Sequence, residues 1–270
     1  MKLDVDAVIV GGGIAGLWTL ARLRAEGFNA VLLEAEALGA GQTRNAQGII
    51  HGGNKYALTG KLTASSEAVS NMPSIWRACH AGNGELDLRS AEMISDAHYL
   101  WSTANLASRI TGFFASRVMR ARTTELKPEQ RPALFQHKKF KGSIYRLDEP
   151  VFDTVSVMRA LAEPVMSAIV AIRKGSMRLQ SSSLFIEAVN GEGYEIGFSK
   201  LILMAGPGNA ALVQSAGLSK PEMQLRPLKM VMMRGGLTEK VFAHCMGAGI
   251  NPRVTITSHT DNDNNIVWYM

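Results

Sequence analysis

Three glycines, Gly11, Gly13 and Gly16, follow the apolar run Val8-Ile9-Val10 and open the segment Ile14-Ala15-Gly16-Leu17. G-x-G-x-x-G between a strand-like run and a helix-like one is the arrangement that cradles a dinucleotide pyrophosphate. Gly11 lets the chain turn sharply off the strand, Gly13 lets a pyrophosphate approach the backbone, and Gly16 lets the helix lie close to the sheet. The helix start adds free N–H groups and a positive dipole end, which brings the backbone of Ile14 and Ala15 into the same cradle. Glu34 ends a second apolar run, Ala30-Val31-Leu32-Leu33, 18 residues after Gly16. That is near the distance at which an acid hydrogen-bonds a ribose hydroxyl, and an acid there suits FAD or NAD better than NADP.

The next stretch with chemical content is the loop from Ala35 to Tyr56, rich in Gly, Gln, Asn and Thr. A loop of this length inside a compact domain is usually functional. His51, followed by Gly52 and Gly53, is its candidate proton acceptor or ligand contact. The plain alternative is a hydrogen-bonded loop histidine.

The elements that must position these residues read as follows. Leu17, Leu20, Ala21 and Leu23 mark the inner face of the first helix. Residues 57 to 81 read mostly as helix, interrupted at Pro73. Glu85 to Arg89 alternates as a strand would, Met93 to Trp101 is extended, and Ser102 caps a helix to about Arg120. Thr123 to Pro132 is a polar linker. Asp153 caps a helix with Val155, Met158, Leu161 and Ala162 inward, ended by Pro164. Short strands are expected at Ile169 to Ile172, Met177 to Gln180, Leu184 to Val189 and Tyr194 to Phe198, with a hairpin at Asn190-Gly191-Glu192-Gly193. Leu201-Ile202-Leu203-Met204 reads as a buried parallel strand feeding a second glycine turn, Ala205-Gly206-Pro207-Gly208, and a short helix through Val213. From Leu228 onward the chain reads as β, with strands at Lys229 to Arg234, Val241 to Cys245, Arg253 to Ser258 and Asn265 to Met270. Met230, Met232 and Met233 read as core filling.

The fold class expected is α/β: a Rossmann-like dinucleotide-binding domain interleaved with a β-rich α+β substrate domain. The first is assigned residues 1–75 and 150–218, the second 76–149 and 219–270. The chain of 270 residues is long enough for this. No apolar run reaches the roughly 18 residues of a membrane helix. The N-terminus, with Asp4 and Asp6, does not read as a secretory signal. Cys79 and Cys245 form no C-x-x-C pair, which argues against a disulfide framework or a zinc site, and no metal ligands are assigned. A reducing cytoplasm is the default. Net charge is +6, concentrated between Arg117 and Arg146. That stretch is read first as a solvated surface, with peripheral contact to an anionic membrane face or to RNA as alternatives, and no DNA partner.

The opening fingerprint, the loop Gly41-Gln42-Thr43-Arg44-Asn45-Ala46-Gln47-Gly48-Ile49-Ile50-His51-Gly52-Gly53 and the late Leu203-Met204-Ala205-Gly206-Pro207-Gly208 turn occur in this order. Together they resemble the FAD-dependent D-amino-acid oxidase superfamily, and within it the glycerol-3-phosphate dehydrogenase and 2-hydroxyglutarate oxidase branches. The resemblance implies FAD, with Gly11, Gly13 and Gly16 at the pyrophosphate and Glu34 at the adenosine ribose. It places Thr43 and Arg44 along the pyrophosphate and ribityl chain, and Gln47, Gly48, Ile49 and His51 beside the isoalloxazine. Val170, in the strand Ile169 to Ile172, is implied at the adenine, and Ala205 and Gly206 at the second turn. Members of the family continue past a strand such as Val267-Trp268-Tyr269-Met270, so the expectation is a chain truncated at its C-terminus.

The implied chemistry is hydride transfer from a substrate C–H to the flavin, with His51 as proton acceptor, substrate contact or point of covalent flavin attachment. His244 and His259 lie in the segment expected to roof the site. Arg226, Lys229 and Arg234 are the candidates to hold a carboxylate or phosphate, since such anions suit basic side chains. Tyr56 and Trp268 read first as core aromatics. The leading expectation is oxidation of a small anionic alcohol, glycerol 3-phosphate or a 2-hydroxy acid, with oxygen or a quinone as electron acceptor. The alternatives are an amine or amino-acid oxidase of the same fold, a tRNA-associated flavoprotein and a non-catalytic fragment.

Overall fold

The computed structural model describes residues 1–53, 68–102, 123–225, 227–246 and 252–270. Strands β1 (Lys2–Val10) and β2 (Ala30–Glu34) flank helix α1 (Ile14–Ala25). Helix α2 (Met72–His80) precedes β3 (Met93–Ser95), β4 (His98–Ser102), β5 (Thr123–Glu125), β6 (Ile144–Leu147) and β7 (Val151–Phe152). Helix α3 (Thr154–Ala162) leads to β8 (Ile169–Ala171), β9 (Arg178–Leu179), β10 (Ser183–Glu187), β11 (Gly193–Leu203) and helix α4 (Asn209–Ser215). Strands β12 (Met232–Arg234), β13 (Ala243–Met246), β14 (Pro252–Thr260) and β15 (Ile266–Tyr269) complete the order. No helix among the described residues is long and apolar enough to cross a membrane.

These elements form two compact units, each made of three chain segments. The first comprises Met1–Ala46, Cys79–Ala91 and Thr154–Pro227, the second Gln47–Ala78, Glu92–Asp153 and Leu228–Met270. The described residues 47–53 and 68–75, expected with the cofactor-binding segments, fall in the second unit, and residues 79–91 in the first.

The first unit is built on a six-stranded sheet, ordered β8-β2-β1-β11-β10-β9. Strands β8, β2, β1 and β11 run parallel, and β10 and β9 extend the sheet antiparallel. Side chains alternate across a strand. On one face Val8 and Val10 join Leu33, Leu184, Ile186 and Ile196 in a buried cluster. Ile9 points the other way and is fully buried, as are Leu17 and Leu20 of α1. At Gly16 an added Cβ would collide with the carbonyl oxygen of Gly11, so the absent side chain is what lets α1 close on the glycine turn after β1.

The second unit holds a seven-stranded sheet, ordered β12-β15-β14-β13-β4-β6-β5, and a small β3–β7 pair. Its pairings are antiparallel except β13 with β4, which is parallel. Along β4, residues alternate between two surroundings. Tyr99 and Trp101 pack on the cluster of Leu126, Phe135, Ile144, Val241 and Ala243. His98, Leu100 and Ser102 are buried on the opposite face.

Several expectations change. Glu85 to Arg89 is not a strand. Asp87 instead grips the Arg89 backbone and guanidinium, and Leu88 donates its N–H to Cys79 O. The expected interruption falls at the turn 69–71, and Pro73 lies in the first turn of α2, which its fixed φ and missing N–H suit. Thr123–Glu125 is an edge strand, not linker. Val155 is exposed, and Val157 takes its place on the inner face of α3. Leu201 to Leu203 is half-buried and continues the hairpin strand as one element, β11, which ends before Met204. Met232 and Met233 are exposed on β12, so they do not fill a core. The helix expected from Ser102 to Arg120 lies outside the described residues, as does Tyr56; Ser102 itself ends β4.

Ile186 is fully buried in the cluster under the first sheet. Ile186→Ala is expected to lower the unfolding free energy by about 2–5 kcal/mol. Urea titration should show this as a lower midpoint at unchanged slope.

Candidate active site

The first unit carries the glycine cradle. Gly11 has φ +113°, a backbone region that disfavours side chains, and a Cβ there would sit 2.7 Å from Ala205 Cα. The turn after β1 and the turn after β11 therefore touch backbone to backbone, with Met204 N–H donating to Val10 O at 2.8 Å. Asn209 holds the second turn, accepting from Ala205 N–H at 2.7 Å and donating to Leu203 O at 3.1 Å. Helix α1 begins with Leu17 N–H donating to Gly13 O, which leaves the earlier amides of Ile14, Ala15 and Gly16 at the open helix end. Thr43 Oγ1 accepts from Ile14 N–H at 3.0 Å and so works as an N-cap supplied from a distant loop. Glu34 bridges the turn, accepting from Gly12 N–H at 2.5 Å and Glu36 N–H at 2.7 Å. Val170 pairs with Leu33 in the sheet, and Gly206 lies on the second turn. The Arg44 side chain is exposed, and its backbone N–H donates to Gly39 O.

The second unit carries a histidine–carboxylate cluster. Gly48, at φ +73°, lies against Phe152, and the segment 48–50 runs beside 150–152 through the Ile49–Val151 bridge and the Ile50 N–H bond to Pro150 O. The Gln47 side-chain amide donates to Thr255 O and Tyr269 O, each at 3.1 Å, which fastens the loop to β14 and β15. This places His51 beside Glu149, with Nδ1 and Oε2 3.2 Å apart. Glu149 is 1% exposed, and its Oε1 accepts from Gly52 N–H at 2.9 Å, while the His51 side chain is 36% exposed. A carboxylate on Nδ1 fixes the tautomer with its proton there and leaves Nε2 as the basic nitrogen.

Strand register brings in two more imidazoles. His98 pairs with Leu147 of β6, two residues before Glu149, and His244 of β13 pairs with Leu100 of β4. The His244 ring lies 5.8 Å from that of His51, stacked, and 4.1 Å from that of His98. His244 Nδ1 is 2.8 Å from Thr255 Oγ1 on the next strand. His98 is fully buried. Burial, reinforced by the charges of His244 and His51, holds its imidazole well below the usual range and keeps it neutral.

Of the other sequence candidates, His259 is apart from this cluster. It contacts Thr257 Oγ1 at 3.2 Å and the Tyr269 ring at 4.5 Å, and burial lowers its basicity. Lys229 and Arg234 are exposed, and Arg226 lies outside the described residues. Trp268 donates to Glu239 O and packs on the core. In the basic stretch, Arg146 pairs with Asp96 at 2.7 Å and Arg131 lies over Phe140. Glu149 and His98 were not singled out from sequence. Only the strand register places the Glu149 carboxylate beside His51.

The profile of the DAO family, FAD dependent oxidoreductase, matches residues 6–262. The chain belongs to the DAO family of FAD-dependent oxidoreductases. It is 47% identical over 268 residues to the probable FAD-dependent oxidoreductase PA4991 of Pseudomonas aeruginosa, covering 99% of this chain and 68% of that protein. The crystal structure of PA4991 superposes with a TM-score of 0.82 at 40% identity, over 100% of this chain and 66% of that one. The chain thus spans about two thirds of the length of this relative. Glycine oxidase from Geobacillus kaustophilus superposes at TM-score 0.68 and 16% identity, over 98% of this chain and 70% of that one. L-amino acid deaminase from Proteus vulgaris does so at 0.66 and 15%, over 99% and 61%. These last two share the fold.

FAD is the cofactor of this family, and the first unit fits it. The cradle presents the helix-end amides of Ala15 and Gly16, and Gly13 brings no side chain to the turn before them. Thr43→Val removes the oxygen that caps α1. It is expected to lower the unfolding free energy by about 1 kcal/mol, measured by chemical denaturation of the cofactor-free protein.

Proposed function

We propose that the chain is the cofactor- and base-bearing part of an oxidoreductase acting on a small anionic alcohol, a 2-hydroxy acid or glycerol 3-phosphate. The observation that supports this is the His51–Glu149 pair, with a buried carboxylate on Nδ1 and a part-exposed ring. FAD, when bound, supplies the two-electron acceptor for the hydride that leaves the substrate carbon. His51 Nε2 accepts the hydroxyl proton as the carbonyl forms. Glu149 orients the ring and stabilises the imidazolium, as a carboxylate does for a histidine base. Lys229, Arg234 and Arg226 are the cations assigned to the substrate's anionic group. Their charge matches a carboxylate or phosphate.

The test is turnover of 2-hydroxy acids, glycerol 3-phosphate and amino acids, with oxygen and a quinone as acceptors. Turnover of amino acids alone overturns the alcohol reading. On the productive substrate, His51→Gln is expected to lower kcat by about 10²–10⁴-fold with little change in KM. Glu149→Gln, which spoils the tautomer but keeps the shape, should cost about a hundredfold or more in kcat. Both variants should retain flavin. Gly13→Val is expected to do the opposite, losing the flavin absorbance on desalting while the fold persists by circular dichroism.

A further inference from the structure

The cluster in the second unit has a property that proton transfer does not require. One donor atom from each of His51, Glu149 and His244 lies within 4.8 Å of the other two. Two imidazoles and one carboxylate are a recurrent set for a borderline divalent ion, with bonds of about 2.0–2.2 Å. Magnesium and calcium prefer all-oxygen sets, so the nitrogen donors select against them.

The supports around the three side chains also match. Metal-binding histidines and carboxylates are held by outer hydrogen bonds that aim them. Here Thr255 Oγ1 lies 2.8 Å from His244 Nδ1, and Gly52 N–H holds Glu149 Oε1 at 2.9 Å. Glu149 and His244 are 1% and 3% exposed, whereas His51 opens outward, so the set is largely dry with one accessible side. Beside it stands His98, fully buried, with its ring 4.1 Å from that of His244. That is a further nitrogen donor next to the three.

We propose that His51, Glu149 and His244 bind one divalent cation, with Zn²⁺ the ion that fits best. The site needs neither flavin nor substrate. Its consequence does rest on the proposed function: a cation bound to His51 and Glu149 competes with the proton that His51 must accept, so zinc would act as an inhibitor.

The experiment is equilibrium dialysis of the purified chain against zinc chloride, after chelator treatment and with metal analysis. It is run with and without FAD. The expected result is one zinc per chain in both cases. Thr255→Val should weaken binding by about ten- to a hundredfold, and His244→Gln and Glu149→Gln by more. Wild-type protein that retains no zinc overturns the proposal, as does undiminished retention in His244→Gln. Should His244→Gln fail to fold by circular dichroism, Thr255→Val decides alone, and unchanged affinity there overturns it. Zinc retention without turnover of any substrate would count against the functional reading only.

Discussion

A carboxylate removed from water must be met by donors, and the second unit is arranged to meet one. Glu149 is 1% exposed and stands where β6 has ended. Its two oxygens are satisfied by a backbone N–H and an imidazole from the same short loop, Gly52 and His51. An unpaired buried charge costs several kcal/mol, so this constraint ties the loop to the sheet as firmly as apolar packing does. It also explains two glycines in a row after His51. A Cβ at Gly52 would come within 3.2 Å of Pro73 Cγ, so Gly52 suits the tight path that lets its N–H reach the carboxylate.

The first unit answers a different constraint, the close approach of two backbone turns. Gly11 meets the Met204–Ala205 backbone because β1 and β11 are parallel neighbours whose ends coincide. Parallel strands put all their C-terminal ends on one edge, which is where α/β sheets hold ligands. Glu34 shows the economy of the arrangement. Its carboxylate braces the glycine turn through Gly12 N–H and the chain after β2 through Glu36 N–H.

Whatever depends on neighbours in the chain was legible in the sequence. The strand–glycine–helix order, the hairpin at Asn190–Gly193 and the second turn at Ala205 all follow from local backbone demands. Met93 to Trp101 was legible as extended, but the register of β4 was not. That register, set against β6 and β13, decides that His98, Glu149 and His244 share a face. Local contacts also misled in one place. The alternation of Glu85 to Arg89 suggested a strand, yet a two-residue Asp87–Arg89 clasp takes up the polar groups that a strand would leave for pairing. The methionines of β12 misled for another reason: apolar composition alone does not tell an inner strand from an edge strand, and β12 is at the edge of its sheet.

Gln47 spends both hydrogens of one nitrogen on two carbonyl oxygens from different strands. Few side chains can do this. Glutamate has the same shape but offers only oxygen, which would face those carbonyls with like partial charge. Asparagine has the donors but is one methylene short. The position therefore discriminates at the level of a single atom, and hydrolysis of that amide, a slow ageing reaction of proteins, would turn a fastening between loop and sheet into a repulsion.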